Sequence, residues 1–296
     1  MAMTGSGGDP VAAIREQDAT GEIAALFDDI RRTLGVPVVN LVWRHLATIP
    51  GGLPWAWARV RPLYRSGVIA AEAQALHAAL DLPGLPVWPA AALRAAGLAP
   101  ADERGVRTVL DAYNRSNGMN LIALSALLLE LDGAGATGAA PAPSPAPAAP
   151  QGGIGGGIEG GLPYLLPLSE MAPATAALVQ ALNLLGERAD EPILASMYRH
   201  LAHWPPFLAL AWTLIAPLHA DGRLTAAIAG GLQHARARAT ALLGGLGPAP
   251  AELDATAGAP LRAALDAFTT HPIGKMVTIC ALLRRAMPAR ETDDRA

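Results

Sequence analysis

The seven histidines of the sequence are the first candidates for chemistry, because histidine is the commonest metal ligand and a general acid or base near neutral pH. His200 and His203 stand three positions apart on one face of a predicted helix. The pair lacks the carboxylate or third histidine that a catalytic zinc site needs. We therefore expect packing and capping roles for these histidines, and neither a metal ion nor a cofactor.

Cys280 is the only cysteine, which limits the chemistry further. A single thiol excludes an intrachain disulfide, a CxxC redox pair and a thiolate-rich zinc site. The candidate residues must therefore come from carboxylates, amides and cations.

An internal repeat shows where such residues could meet. The segments "RHLATIPGGLPWAWARVRPLYRSG" and "RHLAHWPPFLALAWTLIAPLHADG" start at Arg44 and Arg199 and match without a gap, at an offset of 155 positions (199 minus 44). The same offset aligns "LDAYNRSNGMNLIALSALL" from Leu110 with "LDAFTTHPIGKMVTICALL" from Leu265. Because this period is too long for a solenoid unit, it predicts an ancient duplication: a pseudo-dimer within one chain.

Polar residues at positions where the two copies differ are candidates for a shared site. Four such pairs are Asp190 with Gly35, Asn114 with Thr269, Asn117 with Pro272, and Lys275 with Asn120. The polar members lie near predicted helix starts or turns, where side chains and free backbone N–H groups can converge on an anion.

Each of these residues also has a structural interpretation. Asp190 precedes Glu191 and Pro192, as is typical of a helix N-cap. Asn114 and Asn117 suit a turn between two helices, because asparagine tolerates unusual backbone angles. Lysines such as the sole Lys275 are more often solvated charges than ligands.

The elements that must position these residues are predicted to be helices. Ala and Leu dominate, apolar residues recur at spacings of three and four, and no segment alternates with period two. Helices are predicted at 20–33, 38–49, 53–66, 70–80, 101–114 and 117–131 in the first copy, and at 170–186, 191–203, 206–220, 223–244, 258–270 and 274–287 in the second. The predicted fold class is all-α.

The domain organisation follows from a change in composition between the copies. Residues 132–163 alternate Ala with Pro and then become Gly-rich, which predicts an extended linker without a core. The predicted division is a first helical repeat at 1–131, this linker, and a second helical repeat at 164–296.

Charge and hydropathy narrow the range of partners and locations. The net charge of −3 gives no sign of the basic face that a nucleic acid or an anionic membrane would require. The stretch "YLLPLSEMAPATAALVQALNLL" contains two prolines and a glutamate, which argues against a membrane span. Since the N-terminus also lacks a signal pattern, we expect a cytoplasmic protein with a small-molecule partner, and leave a homodimer open.

The duplicated helical pattern, with "VNLVWRHLA", "YNRSNGMNLIAL" and an Asp before the second copy's matching helix, resembles the group I 2-haloacid dehalogenases. The resemblance covers nearly the whole chain apart from the linker. It implies a pseudo-dimeric, all-α hydrolase with its active site between the repeats. In such enzymes an Asp activates water for direct attack on the halogen-bearing carbon, an Asn helps to hold the water, and both enantiomers are accepted.

The resemblance assigns roles to residues of this chain. By position, Asp190 matches the water-activating Asp, and Asn114 of "YNRSN" matches the Asn. The substrate carboxylate would be held by helix N-termini and by Arg115 or Lys275. The other predicted substrate-binding residues are Asn117, Val38, Gly35, Ala189, Phe268 and Thr269.

Two departures from the family pattern predict a roomier and less polar pocket. Gly35 and Val38 stand where aromatic side chains are expected, and Ala189 stands where a hydroxyl residue is expected. The substrate is therefore expected to be a 2-haloalkanoic acid, with a larger or non-halogenated compound left open.

Two other functions are kept as alternatives. The segment "RHLAHWPPFLALAWTLIAPLHADGRL" also looks like the helical pattern of the alkylhydroperoxidase and carboxymuconolactone decarboxylase group. The lone Cys280 excludes the peroxidase activity of that group but leaves a decarboxylase-like or lactone-related role. The third hypothesis is a pseudo-dimer whose apolar cleft binds a small acid without turning it over.

Overall fold

The computed structural model describes residues 10–135, 161–187, 192–250, 253 and 255–289. These residues form helices and no strand, so the predicted all-α class is confirmed. The helices are α1 (Gly21–Leu34), α2 (Leu41–Leu46), α3 (Gly52–Arg65), α4 (Val68–Ala79), α5 (Ala90–Ala95), α6 (Pro100–Leu131), α7 (Pro173–Leu184), α8 (Ser196–Leu201), α9 (Pro205–Ala220), α10 (Arg223–Leu242), α11 (Ala255–Thr270) and α12 (Pro272–Ala286).

Several helices of the two halves have matching limits. Both ends of α8 lie 155 positions after those of α2, as do the C-terminal end of α9 relative to α3 and the N-terminal end of α10 relative to α4. Together, α11 and α12 cover the positions that correspond to α6. Superposition of the halves remains the test of the predicted duplication.

The predicted break between helices at Asn114 and Asn117 is wrong, because α6 runs through it as one helix of 32 residues. The "NRSNG" segment contains poor helix formers but no proline, so tertiary packing can override their weak propensities. The corresponding segment of the second half contains Pro272, which begins α12 after a break at His271. A proline lacks the backbone donor that a continuous helix would use there.

The helices surround two hydrophobic cores that share elements. One core is built mainly from α1–α4, with residues 119–129 of α6 and the apolar face of α11. The other is built mainly from α7–α9 and α12, with residues 106–113 of α6. Because α6 contributes one half of its length to each core and α11 packs with the first-half helices, the two cores are interlocked.

One expected symmetry of the cores is wrong. The offset of 155 positions aligns Trp57 with Trp212 and predicts corresponding core positions for them. Only Trp57 is buried, with its Nε1 donating to Asp29 Oδ2 at 2.8 Å. Trp212 is 36% exposed on α9. The two copies of this helix therefore present different faces to their surroundings.

The contact between α6 and the start of α9 can be tested at Gly105. A Cβ at this position would lie 2.4 Å from Cζ2 of Trp204, whose indole Nε1 is fixed by donating to Asp102 Oδ1 at 3.0 Å. We expect Gly105→Ala to lower the free energy of unfolding by about 1–3 kcal/mol, because overpacking outweighs the gain in helix propensity. Urea unfolding measures the change.

Gly230 provides a matched control, because it is also a helical glycine and a Cβ there would meet nothing within 4 Å. Gly230→Ala should leave stability unchanged or raise it by up to about 1 kcal/mol. A Gly105→Ala variant as stable as Gly230→Ala would contradict the described packing of α6 on Trp204.

Candidate active site

A cavity of about 440 Å³ lies where residues from both halves meet. Its walls come from the segment before α1, the N-terminal part of α2, the middle of α6, the segments before and within α8, and the junction of α11 and α12. The lining residues include Arg15, Glu16, Val38, Asn40, Arg44, Tyr113, Asn117, Asn120, Ile193, Ser196, Met197, Arg199, His200, Phe268, Pro272 and Met276.

Many of the lining residues occupy corresponding positions of the two halves. Pairs separated by 155 positions are Val38 and Ile193, Val39 and Leu194, Asn40 and Ala195, Leu41 and Ser196, Val42 and Met197, Arg44 and Arg199, Tyr113 and Phe268, and Asn117 and Pro272. The cavity is therefore lined by aligned positions of α2 and α8. In several pairs a polar residue of one half is aligned with an apolar residue of the other.

Two buried arginines give the cavity its cationic groups. Arg44 on α2 is 7% exposed, Arg199 on α8 is 3% exposed, and both line the cavity. Arg199 Nε donates to the carbonyl of Leu166 at 2.9 Å. A guanidinium carries five N–H donors in a planar arrangement, a geometry that suits a carboxylate.

Tyr113 and His200 form a buried polar pair at the cavity wall. The Tyr113 hydroxyl lies 2.8 Å from His200 Nδ1. Burial, together with the nearby charge of Arg199, lowers the pKa of His200 to about 3, so the imidazole is neutral at ordinary pH. Burial also raises the pKa of Tyr113 above its usual value. Neither group is suited to accept a proton near neutral pH.

Amide side chains supply neutral donors and acceptors to the cavity. Asn120 Oδ1 accepts from Trp43 Nε1 at 3.2 Å and from Tyr64 OH at 2.8 Å, whereas its buried Nδ2 has no hydrogen-bond partner among the described residues. Asn40 Nδ2 donates to Ser116 Oγ at 3.3 Å, and its buried Oδ1 has no partner in the described part of the chain. A cavity lined by such groups can hold a water molecule or a polar ligand atom.

The positions of the cavity residues on α6 follow from its continuous helical geometry. Tyr113, Asn117 and Asn120 are separated by four and three residues, so they share one face of the helix. Arg115 is turned away from that face by the helical period of 3.6 residues, whereas Asn114, three residues before Asn117, lies at the edge of the face. A turn at residues 114–117, as predicted from the sequence, would not separate the cavity-lining residues from Arg115 in this way.

The structure places the sequence-predicted site residues in different surroundings. Val38, Asn117 and Phe268 line the cavity. Asp190 and Ala189 lie outside the described residues. The remaining five, which are Gly35, Asn114, Arg115, Thr269 and Lys275, are not among the cavity residues.

Three of these five lie at the end of α1, contact that end, or bond within α11. Gly35 ends α1 with φ of +64°, a conformation that favours glycine. Arg115 is exposed, and its Nε donates to the carbonyl of Leu34 at 3.4 Å. Thr269 Oγ1 donates to the carbonyl of Leu265 at 2.7 Å within α11.

Asn114 and Lys275 also contact other elements. The backbone carbonyl of Asn114 lies 2.9 Å from His77 Nε2 of α4, and the buried Oδ1 of its side chain has no hydrogen-bond partner among the described residues. Lys275 is 1% exposed, and its Nζ donates to Glu187 Oε2 at 2.6 Å. The expectation that Lys275 is solvated is therefore wrong, because α12 buries it beside a carboxylate.

Arg44 and Arg199 were not predicted as site residues from the sequence, although both belong to the "RHLA" segments that mark the repeat. The available signal was a long cationic side chain at the same position of two otherwise apolar helices. Such a residue has to be paired when it is buried, and a shared polar cavity is one way to pair it.

The described residues were also compared with the requirements of a metal site and of a membrane-spanning helix. Among them, no group of three or more His, Cys, Asp or Glu side chains could hold a metal ion. None of their helices is both long and apolar enough to cross a membrane.

Comparisons with known proteins define the class to which this chain is related. No family model matches the sequence. A configuration-inverting 2-haloacid dehalogenase of Alcaligenes xylosoxydans xylosoxydans is 30% identical over 67% of this chain and 65% of its own length. One of Pseudomonas sp. (strain 113) is 28% identical over 67% of this chain and 64% of its own length. The match thus spans slightly less than two thirds of either relative.

Solved structures show the same fold. A D-2-haloacid dehalogenase in complex with L-LA has a TM-score of 0.72 and 19% identity, covering 93% of this chain and 96% of its own. A mutant in complex with D-2-CPA has a TM-score of 0.66 at 19% identity, covering 93% of this chain and 95% of its own. The chain is thus similar to 2-haloacid dehalogenases in sequence and fold, and the resemblance predicted from the sequence is confirmed. The comparisons favour neither alternative function.

The buried His200 makes the stability of the site depend on pH. The folded-state pKa of about 3 lies below the ordinary value of 6.5, so the folded state binds fewer protons than the unfolded state between these values. The stabilising contribution is present above pH 6.5 and is lost as pH falls towards 3. We expect His200→Gln to reduce the slope of unfolding free energy against pH by up to about 1.4 kcal/mol per pH unit.

Urea unfolding at a series of pH values measures this slope. His234→Gln is the control, because His234 is exposed on α10 and its variant should keep the wild-type slope. A His200→Gln variant with the slope of the wild type would show that His200 is not held neutral.

Proposed function

We propose that this protein is a hydrolytic dehalogenase that converts 2-haloalkanoic acids to 2-hydroxy acids in the cavity between α2 and α8. The observation that carries the proposal is the pair of buried arginines at this cavity, in a chain whose relatives are named 2-haloacid dehalogenases. A 2-halo acid carries a carboxylate on a short apolar chain. Such a molecule suits cationic groups set in a wall of Val, Leu, Ile, Met and Phe side chains.

In the proposed reaction, Asp190 accepts a proton from water while the water oxygen forms a bond to C2 of the substrate. The bond from C2 to the halogen breaks, and its electron pair leaves with the halide. Asp190 then releases the proton to solvent, and no covalent intermediate with the enzyme forms. In-line attack at this carbon inverts its configuration, in agreement with the name of the relatives.

The surroundings of the cavity support Asp190 as the base. The described ionisable groups near the cavity are poor alternatives as the general base, because His200 has a pKa of about 3 and burial raises the pKa of the Cys280 thiol to about 12. Glu16 is engaged as well: Oε1 accepts from the backbone N–H of Val39 at 2.8 Å. Asp190 lies three positions before Ile193, a cavity residue.

We propose Asn117, rather than Asn114, as the amide that holds the attacking water. Asn117 lines the cavity, whereas Asn114 is not among the lining residues. A side-chain amide offers one donor and one acceptor group, which together can orient a water molecule. Positioning of this kind carries much of the rate when attack must be in line.

The size of the cavity favours a range of substrates beyond the smallest 2-halo acids. Its volume of about 440 Å³ is within the range of pockets that accept drug-sized ligands, roughly 300–1,000 Å³. Val38 and Phe268 contribute apolar surface from opposite halves. We therefore propose that substrates with longer alkyl chains are also accepted.

We also propose that the protein acts in the cytoplasm on a freely diffusing small acid. Cell fractionation tests this location. Light scattering of the purified protein tests whether it forms a homodimer.

Direct attack by water can be tested by a single turnover in ¹⁸O-water, with enzyme in excess over a 2-halo acid. We expect one ¹⁸O atom in the 2-hydroxy product, because solvent supplies the attacking oxygen. An ester route through Asp190 would instead place an unlabelled carboxylate oxygen in the product and the label in Asp190. Mass spectrometry of product and protein distinguishes the two routes.

Asp190→Asn is the companion variant. It should abolish halide release but keep the fold, because asparagine has nearly the same size and shape as aspartate and lacks only the carboxylate that accepts the proton. Full activity of this variant would overturn the role of Asp190. An inactive wild type would overturn the dehalogenase function.

Asn117 and Asn114 form a natural pair of variants on one helix. We expect Asn117→Ala to lower kcat by about 10²-fold, because water is no longer oriented. Asn114→Ala should change kcat by less than about threefold, since Asn114 does not line the cavity. Steady-state halide release measures both effects, with circular dichroism as the check on folding. The reverse order of effects would return the water-holding role to Asn114.

A further inference from the structure

Lys275 is a buried cation that the proposed reaction does not use. It is 1% exposed and lies in the first turn of α12. Its Nζ donates to Glu187 Oε2 at 2.6 Å and to the carbonyl of Asn183 at 2.5 Å. Burial lowers the pKa of Lys275, and the ion pair with Glu187 opposes this shift. A cation placed here needs a structural or functional reason, because burying it is costly.

The partners of Lys275 stand directly before the segment that carries Asp190. Glu187 precedes Asp190 by three positions and is 4% exposed. Its second oxygen, Oε1, lies 3.1 Å from His271 Nδ1 at the junction of α11 and α12. The chain before Asp190 is thus attached by the two oxygens of the Glu187 carboxylate, one to Lys275 of α12 and one to His271, directly before α12.

The C-terminal side of the same segment is attached through Asn183. This side chain is buried, its Nδ2 donates to the carbonyl of Ile193 at 3.3 Å, and its Oδ1 accepts from the backbone N–H of Ala195 at 3.0 Å. Both Ile193 and Ala195 line the cavity. Since Lys275 binds the carbonyl of this same Asn183, one lysine connects the attachments on both sides of Asp190.

We infer that Lys275 is a positioning residue for Asp190: with Glu187 and Asn183 it fixes the chain on both sides of the catalytic carboxylate relative to α12. This inference rests on the proposed function of Asp190. It assigns to Lys275 an indirect role, in place of the contact with the substrate carboxylate that the sequence predicted. Orientation of the base should affect the chemical step, because small displacements of a reacting group are costly for the rate.

The test uses the double variant Lys275→Met/Glu187→Gln, which removes both charges and leaves neither one buried alone. We expect kcat for a 2-halo acid to fall about ten- to a hundredfold while KM changes less than about threefold. The single-turnover rate should fall with kcat. A role in stability alone would lower the melting temperature without this split between kcat and KM.

The ion pair of Arg238 with Glu72 is a matched control. It joins α10 to α4, with Arg238 Nη1 2.6 Å from Glu72 Oε2, and neither residue lines the cavity. Arg238→Met/Glu72→Gln should keep the kcat and KM of the wild type. Equal loss of kcat in both double variants would overturn the positioning role of Lys275.

A second variant keeps the inference testable if Lys275→Met/Glu187→Gln does not fold. His271→Leu removes only the contact with Glu187 Oε1, from a side chain that is 28% exposed. We expect kcat to fall several-fold at unchanged KM, whereas an unchanged kcat would overturn the inference. The wild type is assayed in parallel: its failure to release halide overturns the proposed function, but an active wild type with an equally active double variant overturns only the positioning role.

Discussion

The continuity of α6 is the constraint on which the rest of this structure depends. One helix of 32 residues supplies apolar side chains to the second core from its N-terminal half and to the first core from its C-terminal half. Its middle, where the cores meet, is where Tyr113, Asn117 and Asn120 line the cavity. Because α6 crosses between the cores, the cavity cannot change shape without disturbing the packing of both halves.

The polar groups around the cavity are costly to bury, and their arrangement indicates a site rather than a core. Well-packed apolar residues would stabilise the same space more simply. Instead, Arg44 and Arg199 are nearly inaccessible, the Tyr113–His200 pair is buried, and Asn120 and Asn40 each keep an unpartnered polar atom. Natural proteins retain such features at functional sites and compensate with stability elsewhere. Here the interlocked cores provide that stability.

Much of the fold was accessible from the sequence, but less of the site was. Helical spacing and composition predicted the all-α class, and the "RHLA" segments marked the positions of α2 and α8. The turn predicted at Asn114 was wrong because the choice between a turn and a helix was decided by tertiary packing, which local propensity does not contain. In the continuous helix Arg115 is turned away from the face that carries Asn117, and Asn114 lies at the edge of that face. The burial of Lys275 could not be read from its surroundings in sequence, since its partners Asn183 and Glu187 are about 90 positions away (275 minus 183 is 92, and 275 minus 187 is 88).

The central claim is that the cavity between α2 and α8 binds a 2-halo acid and presents its C2 atom to water. The most direct measurement is a crystal structure of the Asp190→Asn variant soaked with a slowly reacting 2-chloro acid. The account predicts that the substrate carboxylate lies within hydrogen-bond distance of Arg44 or Arg199, that the alkyl group contacts Val38 or Phe268, and that Asn117 binds a water on the side of C2 opposite the chlorine. Substrate bound elsewhere, or bound here with its carboxylate directed away from both arginines, would contradict the account.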